Sequence, residues 1–188
     1  MNTKLIEEYK KLLGNTLKTR DDHSIYHSEM YLFWKFAQDY DVRKILESGT
    51  YMGSSAKRLK KLFPKCEIIT YESDPGHYKR IKKVKGIKYV FGELKNSLGK
   101  IDKHTAILID GPKRKTATRL ARQCLRKGAL FVGMHDMYEY IDYLRTKFKT
   151  VEHSGYPSKE VKSLDSFKID THKFKDYYGT VLAVVTNV

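Results

Sequence analysis

Apolar positions near the N-terminus recur at helical spacing. Leu5, Ile6, Tyr9, Leu12 and Leu13 form a stripe over 3–13, and Gly14 stands where such a helix would stop. A polar stretch over 18–24 precedes a second stripe, Met30, Phe33, Trp34 and Ala37. Beyond it the pattern changes. Short apolar runs at 44–47, 67–72, 87–91, 105–110 and 129–134 are rich in Ile, Val, Leu, Phe and Tyr. They show little period-two alternation, as expected of strands buried on both faces. Between them, Ala56, Leu59, Leu62 and Phe63 make one helical stripe, and Ala117, Leu120, Ala121, Cys124 and Leu125 make another. Strands alternating with helices predict a parallel sheet, covered on both faces and joined by right-handed crossovers. Runs at 149–153 and 180–186 predict a final hairpin-like pair across a long polar insertion. The expected fold class is α/β: a Rossmann-like open sheet, mostly parallel, with a C-terminal antiparallel strand pair.

Composition narrows the class. The chain has 188 residues, 40% hydrophobic and 12% aromatic, which suits one domain and excludes a disordered or collagen-like chain. Cys66 and Cys124 have no C-x-x-C spacing, so a reducing compartment is expected. No apolar run approaches the ~18 residues of a membrane span, and the first segment is charged and amphipathic rather than a signal core. The expectation is a soluble, cytoplasmic protein without a membrane partner. Charge is the outlying quantity: 37 Lys and Arg against 22 acids leave +15. Such a field attracts polyanions, nucleotides or phosphorylated substrates, or else it is a solvated surface. The clusters KRLKK (57–61) and KRIKKVK (79–85) read as solvated helix faces opposite an apolar stripe.

In open α/β sheets, ligands bind beyond the carboxyl ends of the strands, near the point where strand order reverses. Four predicted strand ends carry candidate chemistry. Glu47-x-Gly49-x-x-x-Gly53 leads from the first strand into a helix; its glycines permit a sharp turn and close backbone approach. The spacing differs from the G-x-G-x-x-G that suits a pyrophosphate. Glu72 ends the second strand, 19 residues after Gly53, where a carboxylate can accept from both hydroxyls of a ribose. Gly92-Glu93 follows the third strand, a place to meet an adenine amino group. Asp110 ends the fourth in AILIDGPK, as a functional carboxylate or as the cap of the next helix. Their ordered co-occurrence points to an adenosine site.

The segments ILESGTYMGSSA (45–56), TYESDP (70–75), LIDGPK (108–113) and LRKGALFVGMHD (125–136) resemble the class I S-adenosylmethionine-dependent methyltransferases. Within that class they are most similar to the metal-dependent catechol O-methyltransferase type and the related cephalosporin-hydroxylase type, over about residues 27–140. The resemblance implies a single domain, 1–188, with N-terminal helices over 1–40 and a cofactor-binding core over 44–140. It implies that Glu47, Gly49, Tyr51, Gly53 and Ser55 line the methionine and sulfonium end of S-adenosylmethionine. Glu72 would hold the ribose and Glu93 would lie near the adenine. It further implies that Asp110 and Asp136 ligate Mg²⁺ or Mn²⁺, and that Lys113 removes the acceptor's proton. The catechol enzymes follow the second aspartate with an asparagine ligand. Here that position is Met137, a poor donor for a hard cation, and His135 precedes Asp136 as another ligand candidate.

Methyl transfer to oxygen requires an aligned donor and acceptor, excluded water and a nucleophilic hydroxyl. A cation on Asp110 and Asp136 would acidify that hydroxyl, and Lys113 would take the proton if its pKa fell toward neutrality. Without metal, His135 is the better base, unless it is a core histidine bonded to backbone. His27 is a weaker candidate for closing the pocket. Lys113-Arg114-Lys115 at the mouth suits an anionic group, or is a solvated helix start. In 154–179, Tyr156, Phe167, Phe174, Tyr177 and Tyr178 would form an acceptor rim for a sugar, glycan or aromatic diol, or would pack the insertion onto the sheet. The alternative function is RNA modification or RNA binding through the basic surface. A catalytically silent binding fold is a third reading, and the glycine spacing disfavours a nicotinamide enzyme.

Overall fold

The computed structural model describes residues 3–15, 25–155, 159–164 and 181–186. The expected rim aromatics, Tyr156, Phe167, Phe174, Tyr177 and Tyr178, lie outside the described residues. Helices α1 (Thr3–Leu13) and α2 (His27–Ala37) precede the alternating core. The core runs β1 (Lys44–Ser48), α3 (Ser54–Leu62), β2 (Glu67–Glu72), α4 (Pro75–Arg80), β3 (Ile87–Phe91), β4 (Thr105–Ile109), α5 (Arg114–Arg126) and β5 (Phe131–Met134). Then follow α6 (Ile141–Arg145), β6 (Thr150–His153), α7 (Lys159–Lys162) and β7 (Ala183–Thr186).

The seven strands lie in the order β3-β2-β1-β4-β5-β7-β6. β1 to β5 pair in parallel, whereas β7 inserts between β5 and β6 and pairs antiparallel with both. The expected antiparallel pair is present, with β7 threaded inside the sheet. Adjacent residues on one strand feed opposite cores. Ile45, Ile68, Ala106 and Leu108 pack with α1, α2 and α3, while Leu46, Ile69, Ile107 and Ile109 pack with α5 and α6. Both faces of these inner strands are thus apolar, which explains the missing alternation.

One close approach fixes α2 on the sheet. A Cβ on Gly133 would meet the Phe33 ring at 2.7 Å, so glycine in β5 lets this helix lie directly against the strand. The basic clusters depart from expectation. α4 ends at Arg80 and buries none of its residues, so 79–85 is not a helix face backed by an apolar stripe. Within 57–61, Arg58 is buried and its guanidinium donates to the Ile25 carbonyl, tying α3 to the segment before α2.

Strand order reverses beside β1, whose neighbours are β2 and β4. Backbone bonds extend the sheet past the strand ends there. Gly49 and Thr50 donate to the Tyr71 carbonyl, and Asp110 and Gly111 donate to the Ser48 carbonyl. The loops after β1, β2 and β4 therefore converge at the switch point, where such folds bind ligands.

Candidate active site

Gly49 has φ +94, and a Cβ there would lie 2.6 Å from the Gly111 nitrogen. Only glycine permits this left-handed turn and the contact of the two loops. Three non-glycine residues among those described also have left-handed backbones: Tyr51 (φ 49), Arg114 (φ 56) and Asp136 (φ 59). They follow β1, β4 and β5 respectively, so the irregular backbone is concentrated around one opening.

Two adjoining cavities occupy this place. The larger, about 450 Å³, lies between Glu72, Gly92 and Glu93 on the strand ends and Arg119 and Gln123 on α5. The smaller, about 370 Å³, is lined by Gly49, Tyr51, Glu72, Asp110, Gly111 and Lys113. Gly49, Glu72 and Gly111 line both. Glu72 is held rigidly: one carboxylate oxygen accepts from the Tyr51 amide at 2.7 Å, and the other from the Asp74 amide at 2.9 Å. Each oxygen retains a further lone pair for a ligand hydroxyl. Glu93 lines the larger cavity and pairs with Lys95.

The expected residues of the methionine end divide. Gly49 and Tyr51 line the opening, but Glu47 is fully buried behind the loop. It accepts from the Thr70 hydroxyl at 2.6 Å, and that hydroxyl also contacts Thr50. Burial pushes its pKa up to about 7, against hydrogen bonding from Ser55 and Thr70 that acts in the opposite sense. Gly53, with φ +83, turns the chain into α3, and Ser55 is buried in its first turn. Glu47, Gly53 and Ser55 thus shape the loop from behind and line neither cavity.

Asp110 does not cap α5. Its Oδ1 accepts from His135 Nδ1 at 2.8 Å and from Lys113 Nζ at 2.5 Å. The 3.1 Å between those two nitrogens follows from their shared acceptor. Lys113 also pairs with Asp136 Oδ2 at 2.9 Å. On its far side, His135 Nε2 meets Glu29 Oε2 at 3.3 Å. Glu29, on α2, is buried and accepts from the Tyr26 amide at 2.8 Å through the same oxygen. Both ring nitrogens of His135 thus face carboxylates.

The charges reinforce one another. Burial alone would lower the His135 pKa, but the Glu29 charge and the bonds to Asp110 and Glu29 push it up to about 10. Burial would raise the Asp110 pKa, yet the His135 and Lys113 cations hold it down at about 2. For Lys113, burial pulls downward, and Asp110 and Asp136 outweigh it, leaving a pKa above the ordinary lysine value. With no divalent cation beside it, Lys113 is thus set as a proton donor rather than an acceptor, and His135 is likewise protonated. Each is held as a cation by facing carboxylates.

The donor set does not fit a divalent ion. The ammonium of Lys113 bridges Asp110 and Asp136, both nitrogens of His135 face carboxylates, and Met137 is buried in the core beneath. Among the described residues, no group of three or more His, Cys, Asp or Glu side chains is arranged to hold a metal. No helix among them is long and apolar enough to cross a membrane.

Sequence reasoning missed Glu29, Arg119 and Gln123. Glu29 left one signal, a carboxylate in register with Phe33 and Phe36 on the apolar face of α2. The α5 pair gave none, since polar residues four apart look alike on any solvated helix face.

No protein-family model and no curated protein matches the chain. Solved structures share its fold. An O-methyltransferase from Bacillus cereus in complex with SAH matches at a TM-score of 0.59 with 17% identity, covering 97% of this chain and 91% of that one. The O-methyltransferase TomG from Streptomyces achromogenes, involved in tomaymycin synthesis and in complex with SAM, matches at 0.54 with 16% identity, over 97% and 90% of the two chains. A probable spermidine synthase from Corynebacterium glutamicum ATCC 13032 matches at 0.58 with 14% identity, over 86% and 62%. The chain thus has the fold of class I methyltransferases, with the mostly parallel seven-stranded sheet and inserted antiparallel strand found above.

Proposed function

We propose that this chain is an S-adenosylmethionine-dependent O-methyltransferase acting on a hydroxyl of a small molecule, either a sugar or an aromatic diol. The observation that carries this reading is the pair of cavities sharing Gly49, Glu72 and Gly111, one suited to adenosine and the other opening onto Asp110 and Lys113. Glu72 would hold the ribose hydroxyls and Glu93 the adenine, while the Gly49 loop and Tyr51 would hold the methionine end. S-adenosylmethionine supplies an electrophilic methyl group on a sulfonium centre. With His135 protonated, Glu29, Asp110 and Asp136 face two cations, leaving one negative charge to complement that single positive one.

The chain's own residues then position the acceptor. Two N–H groups of Lys113 point to Asp110 and Asp136, which leaves the third for the acceptor oxygen. As that oxygen gains a methyl group it becomes strongly acidic, so a carboxylate suffices to receive its proton. Asp110 and Asp136 both face the His135 and Lys113 cations, but the Asp136 side chain is 34% exposed against 15% for Asp110, so Asp136 is the more accessible carboxylate. Asp136 is the residue assigned to take the proton. The test is transfer of a labelled methyl group to panels of sugars and catechols. Transfer to one class supports the reading; no transfer, together with no binding of S-adenosylhomocysteine, defeats it.

An RNA acceptor is the second reading, favoured by one observation. Residues 75–92 carry Lys79, Arg80, Lys82, Lys83, Lys85 and Lys88, all exposed, and no acid. Phe91 is exposed at the end of this stretch with the Tyr78 ring 5.4 Å away, a surface suited to stacking a base. RNA binding that weakens steeply with salt would favour it.

A further inference from the structure

We infer that the Lys113 ammonium is the built-in cation of this site, standing between Asp110 and Asp136 in the place that the catechol-type resemblance assigns to a divalent ion, so that the site works without metal. The inference rests on the transfer reading for its meaning, but its test needs neither cofactor nor acceptor.

Geometry carries it. Lys113 Nζ lies 2.5 Å from Asp110 Oδ1 and 2.9 Å from Asp136 Oδ2, so one compact charge bridges the two carboxylates a metal would need. Asp110 Oδ1 already accepts from His135 as well. Mg²⁺ demands about six oxygen ligands at ~2.0–2.1 Å in near-octahedral array. Here a third protein ligand is lacking: Met137 is fully buried with the α6 core, and its backbone nitrogen is bonded to the Val181 carbonyl. His135 is no free donor: its Nδ1 is bonded to Asp110, and its Nε2 faces Glu29 at 3.3 Å and Asp136 at 3.6 Å. An ammonium supplies part of what the ion would: positive charge at the acceptor oxygen and a fixed direction for one hydrogen bond. It differs in one respect, since it cannot expand its shell to chelate two oxygens of a diol. The acceptor therefore needs only one hydroxyl at this point, which widens the class beyond vicinal diols.

Removing the ammonium while keeping the carboxylates should uncover the latent cation site. Mn²⁺ binding is measured by electron paramagnetic resonance on wild type, Lys113→Ala and Lys113→Gln, with circular dichroism to confirm folding. The expected result is no stoichiometric site in wild type and Mn²⁺ affinity higher by about ten-fold or more in the folded variants. One Mn²⁺ per wild-type chain with Kd below about 100 µM, lost on Asp136→Asn, overturns the inference. So does the absence of any gain in both folded variants. If neither variant folds, the wild-type titration decides alone: stoichiometric binding refutes, and its absence supports.

Discussion

Glu29 and His135 meet at 3.3 Å across the base of the opening, joining a helix near the N-terminus to the end of β5. Both are buried, and the imidazolium is compensated from one side by Glu29, with Asp136 at 3.6 Å, and from the other by Asp110. The bond fixes the ring's orientation and carries α2 into the design of the site.

Glu29→Ala removes the buried carboxylate nearest His135 Nε2, leaving Asp110 and the more distant Asp136. Breaking such a pair costs about 3 kcal/mol, and a chain of this size loses roughly 2–4 °C of Tm per kcal/mol. A fall of about 6–12 °C by calorimetry is expected. Glu29→Gln keeps an acceptor oxygen and should lose less. A Tm unchanged in Glu29→Ala would mean that the pair does not hold the imidazolium.

Gly49→Ala puts a methyl group 2.6 Å from the Gly111 nitrogen at a φ of +94. The loops after β1 and β4 must then separate. Calorimetric titration should show S-adenosylhomocysteine binding weakened by about ten-fold or more, consistent with backbone strain of ~1–3 kcal/mol at the turn. Wild-type affinity in a folded variant would place the cofactor elsewhere.

Asp136→Asn removes the proposed proton acceptor while preserving size. The rate of transfer should fall by about 10²-fold or more with cofactor affinity little changed. A variant with full turnover would exclude Asp136 from that role.

Glu47 offers a pH test. Its pKa rises from 4.5 in the ordinary group to about 7 in the folded chain because of burial. Between those values the native state keeps a proton that the unfolded state has lost. Stability from this residue is thus present below pH 4.5 and lost as pH rises to about 7, a change of about 3 kcal/mol. Glu47→Gln removes the dependence. Its Tm relative to wild type should become more favourable from pH 5 to pH 8, and a constant difference across that range would contradict the account.

Much of the fold was readable because β1, β2, β4 and β5 are buried on both faces, and both faces must then be apolar. Gly49, Glu72 and Asp110 were readable as candidates because each sits at the end of such a run, and the parallel sheet brings those ends together. The site's electrostatics were not readable. Glu29 is 81 residues from Asp110, and its part depends on Gly133 letting α2 lie on β5. The basicity of Lys113 depends on its distance to Asp136, which spacing along the chain does not give. Glu47 matched a cofactor motif, yet the turn at Gly49 leaves it behind the loop.

The most direct measurement is calorimetric titration of wild type and Glu72→Ala with S-adenosylmethionine and with NAD, each in Mg²⁺ and in EDTA. The account predicts binding of the sulfonium cofactor alone, with a Kd on the order of micromolar, equal with and without metal and lost in the variant. Binding of NAD instead, or of neither, would contradict it.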